Sequence, residues 1–260
     1  MCGICGIINT NQSEIVERQQ IVKMRDTMVH RGPDGHGVWC NNNIGLGHRR
    51  LSVIDTSDQG RQPMANRDGN IFIVYNGEFY NYEEHRTLLE KRGYKFQSSS
   101  DTEVILFLYE IYGLEETLKR INGMFSFCLV DLRENVQYLV RDRFGIKPLY
   151  YLMQDDSISF ASEIKALYKK SGFVPKIRKQ AVIEYSFYSR LVDYSTLIEN
   201  IYEVKPGTYL KIENGNVNKN VYYNLENVNK NINISLSEAI EEFDRLFTQA
   251  VSYRMVSDVP

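Results

Sequence analysis

A cysteine at position 2, opening the run Cys2-Gly3-Ile4-Cys5-Gly6-Ile7, constrains this chain more than any other feature. A small side chain there permits removal of Met1, after which Cys2 carries a thiol and a free α-amine on one residue. An amine of reference pKa about 7.7–8.0 beside a thiol of about 8.5 is a base matched to its nucleophile near neutral pH, so no histidine is needed. Cys5, one Cys-x-x-Cys step later, raises two other readings, a redox dithiol and half of a zinc site. A redox pair normally follows a strand and opens a helix, whereas this pair opens the chain and runs into Gly6-Ile7-Ile8-Asn9, a strand-like segment. A zinc site wants a second pair, and Cys40 and Cys128 stand alone. Cys5, Cys40 and Cys128 are therefore read as small core residues.

Composition sets the outer limits. With 260 residues, 43% hydrophobic and 25% charged, the chain can bury a sizeable core and could hold one large domain plus part of another. A formal net charge of -2 supplies no general attraction to nucleic acid or to an anionic membrane. The start lacks a secretory signal, and no apolar run approaches the ~18 residues of a spanning helix. Four cysteines in this length form no disulfide framework, which leads us to expect a reduced, cytoplasmic protein.

Strand-like runs recur at Ile71 to Tyr75, Phe125 to Val130, Val136 to Val140, Leu149 to Met153 and Ile158 to Ala161. Short polar turns such as Asp155-Asp156-Ser157 join several of them, so the sheets should be largely antiparallel. Asn81 with Glu84 and Ser100 with Glu103 read as capping boxes, with Gly93 and Gly113 as the matching stops. Tyr209 to Val217 reads as a hairpin whose Asn214-Gly215 pair suits a type I′ turn. Residues 224–234 are asparagine-rich and read as a linker. Beyond it, Ser235 and Glu238 form another capping box, and Leu236, Ile240, Phe243, Phe247 and Ala250 share a helical face. The chain then stops at Ser257-Asp258-Val259-Pro260, which reads as the opening of a second domain.

The chemistry concentrates before the linker. An amidase needs a nucleophile, donors for a tetrahedral oxyanion and charges that hold its substrate. Asn76-Gly77 could offer a side-chain amide and an unhindered N–H side by side, although alone the pair is more often a turn. Arg50 could grip a carboxylate through two bonds, or be an ordinary surface arginine. Asp101 could bind an ammonium group or merely favour a helix start. Glu78 could share that ammonium or be a solvated carboxylate.

Cys2-Gly3-Ile4-Cys5-Gly6, His30-Arg31-Gly32-Pro33-Asp34, Arg50-Leu51-Ser52, Tyr75-Asn76-Gly77-Glu78 and Ser100-Asp101-Thr102-Glu103 occur in the order found in class II glutamine amidotransferases, which the chain resembles. Arg141 to Tyr151 and Phe160 to Leu167 narrow the resemblance to the glutamine-hydrolysing asparagine synthetase family, as do Pro206-Gly207-Thr208-Tyr209-Leu210 and the terminal Ser257 to Pro260. The resemblance implies an α+β N-terminal-nucleophile hydrolase fold, a four-layer sandwich of two mainly antiparallel sheets between helical layers. It implies a glutaminase domain over 1–223, a linker over 224–234, and over 235–260 the opening of an ATP-dependent synthetase domain.

The same resemblance implies roles. Cys2 would attack the glutamine side-chain amide, Asn76 Nδ2 and the Gly77 N–H would form the oxyanion hole, Arg50 would hold the α-carboxylate, and Asp101 and Glu78 the α-ammonium. No metal or cofactor is expected for that reaction. ATP and Mg would serve the synthetase domain in cis, whose Ser-Gly-Gly-x-Asp-Ser loop is not among these residues, so no asparagine is expected from this chain alone. Relatives amidate aspartate or other carboxylates, and acceptor choice lies outside this stretch. A homodimer is compatible with the family, and a non-catalytic regulatory module of the same fold is the alternative to an enzyme. Cys2→Ala should abolish glutamate formation, whereas Cys5→Ala should keep substantial turnover; equal loss in two well-folded variants would support the dithiol.

Overall fold

The first strand, β1 (Gly3–Asn9), is buried along its whole length, so both of its faces are covered. Side chains alternate across a strand. Ile4 and Ile8 accordingly join an apolar cluster with Val74, Cys128 and Leu139, while Cys5 and Ile7 pack on the other side with Ile21 and Met24. A strand covered on both faces needs two further layers, and the rest of the chain supplies them.

The computed structural model describes residues 1–228 and 233–259. After β1 the chain forms α1 (Arg18–Asp26), β2 (Gly35–Asn41), β3 (Ile44–Arg50), β4 (Met64–Ala65) and β5 (Ile71–Phe79). Helices α2 (Tyr82–Lys91) and α3 (Asp101–Arg120) follow, then β6 (Gly123–Asp131), β7 (Val136–Arg141), β8 (Tyr150–Gln154), β9 (Ser157–Ala161) and α4 (Ile164–Leu167). The remainder is α5 (Lys179–Tyr188), β10 (Ile201–Glu203), β11 (Thr208–Glu213), β12 (Asn216–Val221) and α6 (Leu236–Arg254). One six-stranded sheet has the order β10-β8-β9-β1-β3-β2 and the other β12-β11-β7-β6-β5-β4.

The strand pairings are antiparallel, as the short turns suggested. The two sheets face one another across the cluster that holds Ile4, Leu46, Val74, Cys128 and Phe160. α2 and α3 cover the second sheet through Leu89, Val104, Leu108 and Leu118. α1 and α4 cover the first through Ile21, Met24, Ala166 and Leu167. The result is the α+β sandwich expected, helix over sheet over sheet over helix. No helix among the described residues is long and apolar enough to cross a membrane.

Several local expectations change in the fold. The segment at Asn76-Gly77 is no turn, because β5 continues through both residues to Phe79 against β6. Gly77 is what permits it: a Cβ there would lie 2.4 Å from the Met124 carbonyl oxygen. Asn81 precedes α2 without capping it, since its Oδ1 accepts from the Asn122 N–H and its Nδ2 donates to Arg120 O. Ser100 does cap α3, but Glu103 turns back to the N–H groups of Gln97 and Ser98 instead of completing the box. Gly113, at φ 72, kinks α3 rather than ending it, and buried Leu114 and Leu118 draw the helix on.

Cys40 lies half-buried on the edge strand β2, packed against the margin of the core rather than enclosed in it. Other expectations hold: Asn214 and Gly215 have φ of 50 and 79 in the β11–β12 turn, and Ser235 with Glu238 forms a reciprocal capping box. The apolar face of α6 is present but uncovered, with Phe243 68% exposed. Within the expected linker, Leu225–Asn227 make a short turn, and residues 229–232 lie outside the described part. Phe160→Ala should cost about 3–5 kcal/mol in denaturant unfolding, because Phe160 is wholly buried between the sheets. Phe187→Ala, at an 80% exposed position, should stay within about 0.5 kcal/mol. A comparable loss at both would contradict this placement of the core.

Candidate active site

One cavity of about 140 Å³ is lined by Cys2, Arg50, Asn76, Gly77, Glu78 and Asp101, all of the residues singled out from sequence, together with Met1, Leu51, Gln62, Tyr75 and Lys147. The elements deliver them from the ends of both sheets. Cys2 precedes β1, Arg50 ends β3, residues 75–78 lie in the outer half of β5, and Asp101 is the first residue of α3.

The start of the chain is clamped from several sides. Arg31 Nε donates to Cys2 O at 2.9 Å, and Glu163 steadies Arg31 at 3.1 Å and His30 at 2.8 Å. Burial pushes the Glu163 carboxyl up, but hydrogen bonds from His30, Lys165 and Arg31 win and bring it down to about 2. The Ile4 N–H donates to Ser162 Oγ at 3.1 Å. At the thiol, the Leu51 N–H donates to Cys2 Sγ at 3.4 Å and the thiol returns a contact to Leu51 O at 3.6 Å. Asp34 in turn holds the Ser52 N–H at 2.8 Å. Cys5 points into the helix side of its sheet, is fully buried, and has its thiol pushed up to about 12 by burial. All four cysteines are free.

Two donors stand open in this wall. Asn76 is 1% exposed, and its Nδ2 has no hydrogen-bond partner. Gly77 faces Phe125 across β5–β6, yet the Phe125 N–H goes to Asp142 Oδ2 and its carbonyl accepts from the Asp142 N–H. Gly77 therefore belongs to a non-hydrogen-bonded pair, and its N–H points away from β6. On that same edge the Tyr75 N–H is taken by Gln62 Oε1 at 2.6 Å and the Phe79 N–H by Asp101 Oδ2 at 2.9 Å. The Gly77 N–H lies between these two occupied positions. An unpaired buried donor is costly unless a ligand uses it.

The charged groups bracket these donors. Arg50 is 8% exposed, not a surface arginine, and is anchored by the carbonyls of Ile54, Asp55 and Ser57. Asp101 is 5% exposed, and burial raises its carboxyl to about 6 despite opposing bonds from the Phe79 and Thr102 N–H groups. Its helix-start position and its place in the cavity are thus compatible. Glu78 lines the same wall.

Burial raises the Cys2 thiol, with the Leu51 bond and the terminal ammonium opposing it. Burial lowers the terminal amine, and although the Cys2 charge opposes this, Arg31 and Lys147 add to it. In this structure that amine belongs to Met1.

Sequence reasoning passed over three cavity groups. Lys147 is 5% exposed with no hydrogen bond or ion pair to its ammonium among the described residues, and burial lowers its pKa. Asp142 sets the loop that delivers it, accepting N–H bonds from Phe144, Ile146 and Lys147 as well as Phe125. The Tyr75 hydroxyl is buried without a partner, and Gln62 binds both the Tyr75 N–H and the Thr102 hydroxyl. A lysine between Ile146 and Pro148 carries the one signal that was available, a charge inside an apolar run. Among the described residues no cluster of three or more His, Cys, Asp or Glu could hold a metal ion.

Asp101 gives the site a pH signature. Its carboxyl ionises near 3.9 in an unfolded chain and at about 6 in the fold, so between those values the folded state binds more protons and stability falls as pH rises. Asp101→Asn should therefore gain stability relative to the parent between about pH 4 and pH 7, by on the order of 2 kcal/mol. Denaturant unfolding across that range checks it; a constant difference between the two proteins would contradict the assignment.

Comparison with known proteins places the chain in a family. Residues 1–223 match the family model described as a glutamine amidotransferase domain. Asparagine synthetase [glutamine-hydrolyzing] 1 of Bacillus subtilis is 36% identical over 263 residues, covering 100% of this chain and 41% of its own length. A putative asparagine synthetase of Methanocaldococcus jannaschii is 35% identical over 282 residues, covering 100% of this chain and 53% of its own. The chain thus spans about half the length of the curated relatives it matches, or less. Among solved structures, the glutamine phosphoribosylpyrophosphate amidotransferase of B. subtilis superposes with a TM-score of 0.64 at 20% identity, over 85% of this chain and 49% of that one, which is a likeness of fold. With a cysteine at its head and the family model spanning all but its last segment, the chain belongs to the glutamine amidotransferases and matches the N-terminal glutaminase part of glutamine-hydrolysing asparagine synthetases.

Proposed function

We propose that this cavity hydrolyses the side-chain amide of glutamine through a thioester on Cys2. The observation that carries the reading is the unpartnered Asn76 Nδ2, buried at 1% exposure in the cavity that holds the thiol. Once Met1 is removed, the α-amine of Cys2 takes the thiol proton through one water, and Sγ bonds to the amide carbon. The carbonyl oxygen becomes an oxyanion between Asn76 Nδ2 and the Gly77 N–H, where one donor is typically worth ~2.7–4 kcal/mol. Collapse breaks the carbon–nitrogen bond, and the nitrogen leaves as ammonia with the proton returned by the α-ammonium. Water then attacks the thioester carbon, giving its proton to the amine, and the carbon–sulfur bond breaks to release glutamate and the Cys2 thiolate, which takes that proton back.

Arg50 holds the α-carboxylate of glutamine, and Asp101 with Glu78 holds the α-ammonium. The ammonium compensates the burial that raises the Asp101 carboxyl to about 6, so substrate and ionised carboxylate favour one another. In the wider reading, residues 1–223 are the glutaminase domain, 224–234 the linker and 235–260 the opening of a synthetase domain in which ATP and Mg activate aspartate. No residue of this cavity requires ATP or Mg for its own step. The setting is cytoplasmic, in keeping with four free cysteines.

Isotope-labelled glutamine given to Met1-free protein, without ATP or magnesium, should yield glutamate and ammonia. A folded, Met1-free protein with no detectable turnover would favour a non-catalytic module. Protein that retains Met1 should be nearly inactive, because the α-amine of Cys2 is then a peptide nitrogen and Met1 itself lines the cavity. Intact-mass analysis paired with glutamate release tests this, and full activity from a homogeneous Met1-retaining sample would sink the mechanism.

A further inference from the structure

Asp55 stands where the supports of both charged ends of the cavity meet. Its carbonyl accepts from Arg50 Nη2. Its Oδ2 accepts the Ser99 N–H at 2.9 Å, immediately before the α3 cap Ser100 and Asp101. Its Oδ1 accepts the Ser57 N–H at 3.0 Å, and the Ser57 carbonyl in turn accepts from Arg50 Nη1 at 2.7 Å. The residue has a φ of 56, a left-handed conformation that few L-residues adopt and aspartate more readily than most.

A further contact comes from far along the chain. The Asp55 N–H donates to Asp258 Oδ2 at 2.7 Å, and the Asp258 N–H donates to Val53 O at 2.9 Å. Asp258 thus grips the Val53–Asp55 loop at two points. The end of α6 also rests on the body through the Tyr253 hydroxyl, which donates to Glu84 at 2.8 Å without touching that loop.

We infer that Asp258 is a positioning residue for glutamine binding: by fixing Asp55, it holds Arg50 and Asp101 at the separation that the carboxylate and ammonium of one α-amino acid require. The inference rests on the substrate roles proposed above for those two residues. Asp258 touches neither the thiol nor the oxyanion donors, so its influence falls on substrate affinity and not on the intrinsic reactivity of Cys2. Since α6 leads directly into Asp258, movement of the segment after the linker and a change in glutamine affinity are coupled, each biasing the other.

The test uses Met1-free, full 260-residue protein and variants shown to be folded by their unfolding transitions. Two readouts are taken: KM for glutamine, with the concentration dependence of Cys2 labelling by a glutamine-like electrophile, and the rate of Cys2 alkylation by iodoacetamide, which has no amino-acid end. Asp258→Ala should weaken glutamine and the electrophile roughly tenfold, as loss of one charge-assisted hydrogen bond implies, and leave alkylation unchanged. Asp258→Asn should recover most of that loss, because its amide oxygen still accepts the Asp55 N–H. Tyr253→Phe should change neither readout.

Unchanged affinity in Asp258→Ala would overturn the inference, as would an equal effect of Tyr253→Phe, which would reduce it to general docking of α6. A parallel fall in alkylation would overturn it too, by showing a collapse of the whole site. Arg50→Ala separates this from the underlying reading. If Arg50→Ala weakens glutamine and Asp258→Ala does not, the latch alone fails; if Arg50→Ala leaves glutamine affinity intact, the substrate roles fail with it.

Discussion

β1 is hydrogen-bonded on both flanks, to β3 from Gly3↔Arg49 onward and to β9 from Cys5↔Ala161 onward, and Cys2 sits one residue outside that ladder. A chain terminus normally frays, because few contacts hold it. Here the ladder and two covered faces remove that freedom, and Cys2 acquires the rigidity of the sheet. The register of β1 on β3 also brings Leu51, the residue after β3, to the thiol. The opposite wall comes from β5, and His48 joins the two sheets there through its Nε2 and Tyr75 O at 3.1 Å. Burial drives the His48 pKa down to about 4, so this strut is a neutral imidazole over the working range.

Most residues of the shared motifs act as supports rather than as reactive groups. Arg31 and Glu163 hold the Cys2 carbonyl, Asp34 holds Ser52, Ser162 holds Ile4, and Asp142 gathers a loop around its carboxylate. Each satisfies backbone groups that a sheet leaves open at its ends. A cavity at the ends of two facing sheets has many such groups, and side chains with several acceptors or donors close them economically. Asn76 Nδ2, the Gly77 N–H, the Tyr75 hydroxyl and the Lys147 ammonium remain unpartnered in this wall among the described residues.

Burial governs the electrostatics of the cavity. It raises the Cys2 thiol and the Asp101 carboxyl and lowers the terminal amine and Lys147, in each case disfavouring the charged form. The four groups are thereby each biased toward their neutral forms.

The order of the motifs and the period of the apolar residues made the antiparallel α+β sandwich, the leading thiol and the cavity residues legible before any coordinates. Alternation at Ile71, Ile73 and Tyr75 is local, and a cysteine at position 2 needs no fold to be noticed. Other features depend on partners distant in sequence. Asn76-Gly77 has the composition of a turn, and only the close approach of β6 makes it strand; Asn81 and Glu103 have cap spacing, but nearby backbone groups claim them. Lys147 shows in sequence only as a charge inside an apolar run, and its cavity position follows from the loop that Asp142 folds. The grip of Asp258 on Asp55 spans 203 residues, and no local pattern encodes it. Sequence by itself determined which chemical groups are available and the period of the elements that carry them. Tertiary structure decided which of those groups are left unpaired, because satisfaction of a donor or a charge depends on every neighbour that packing brings to it.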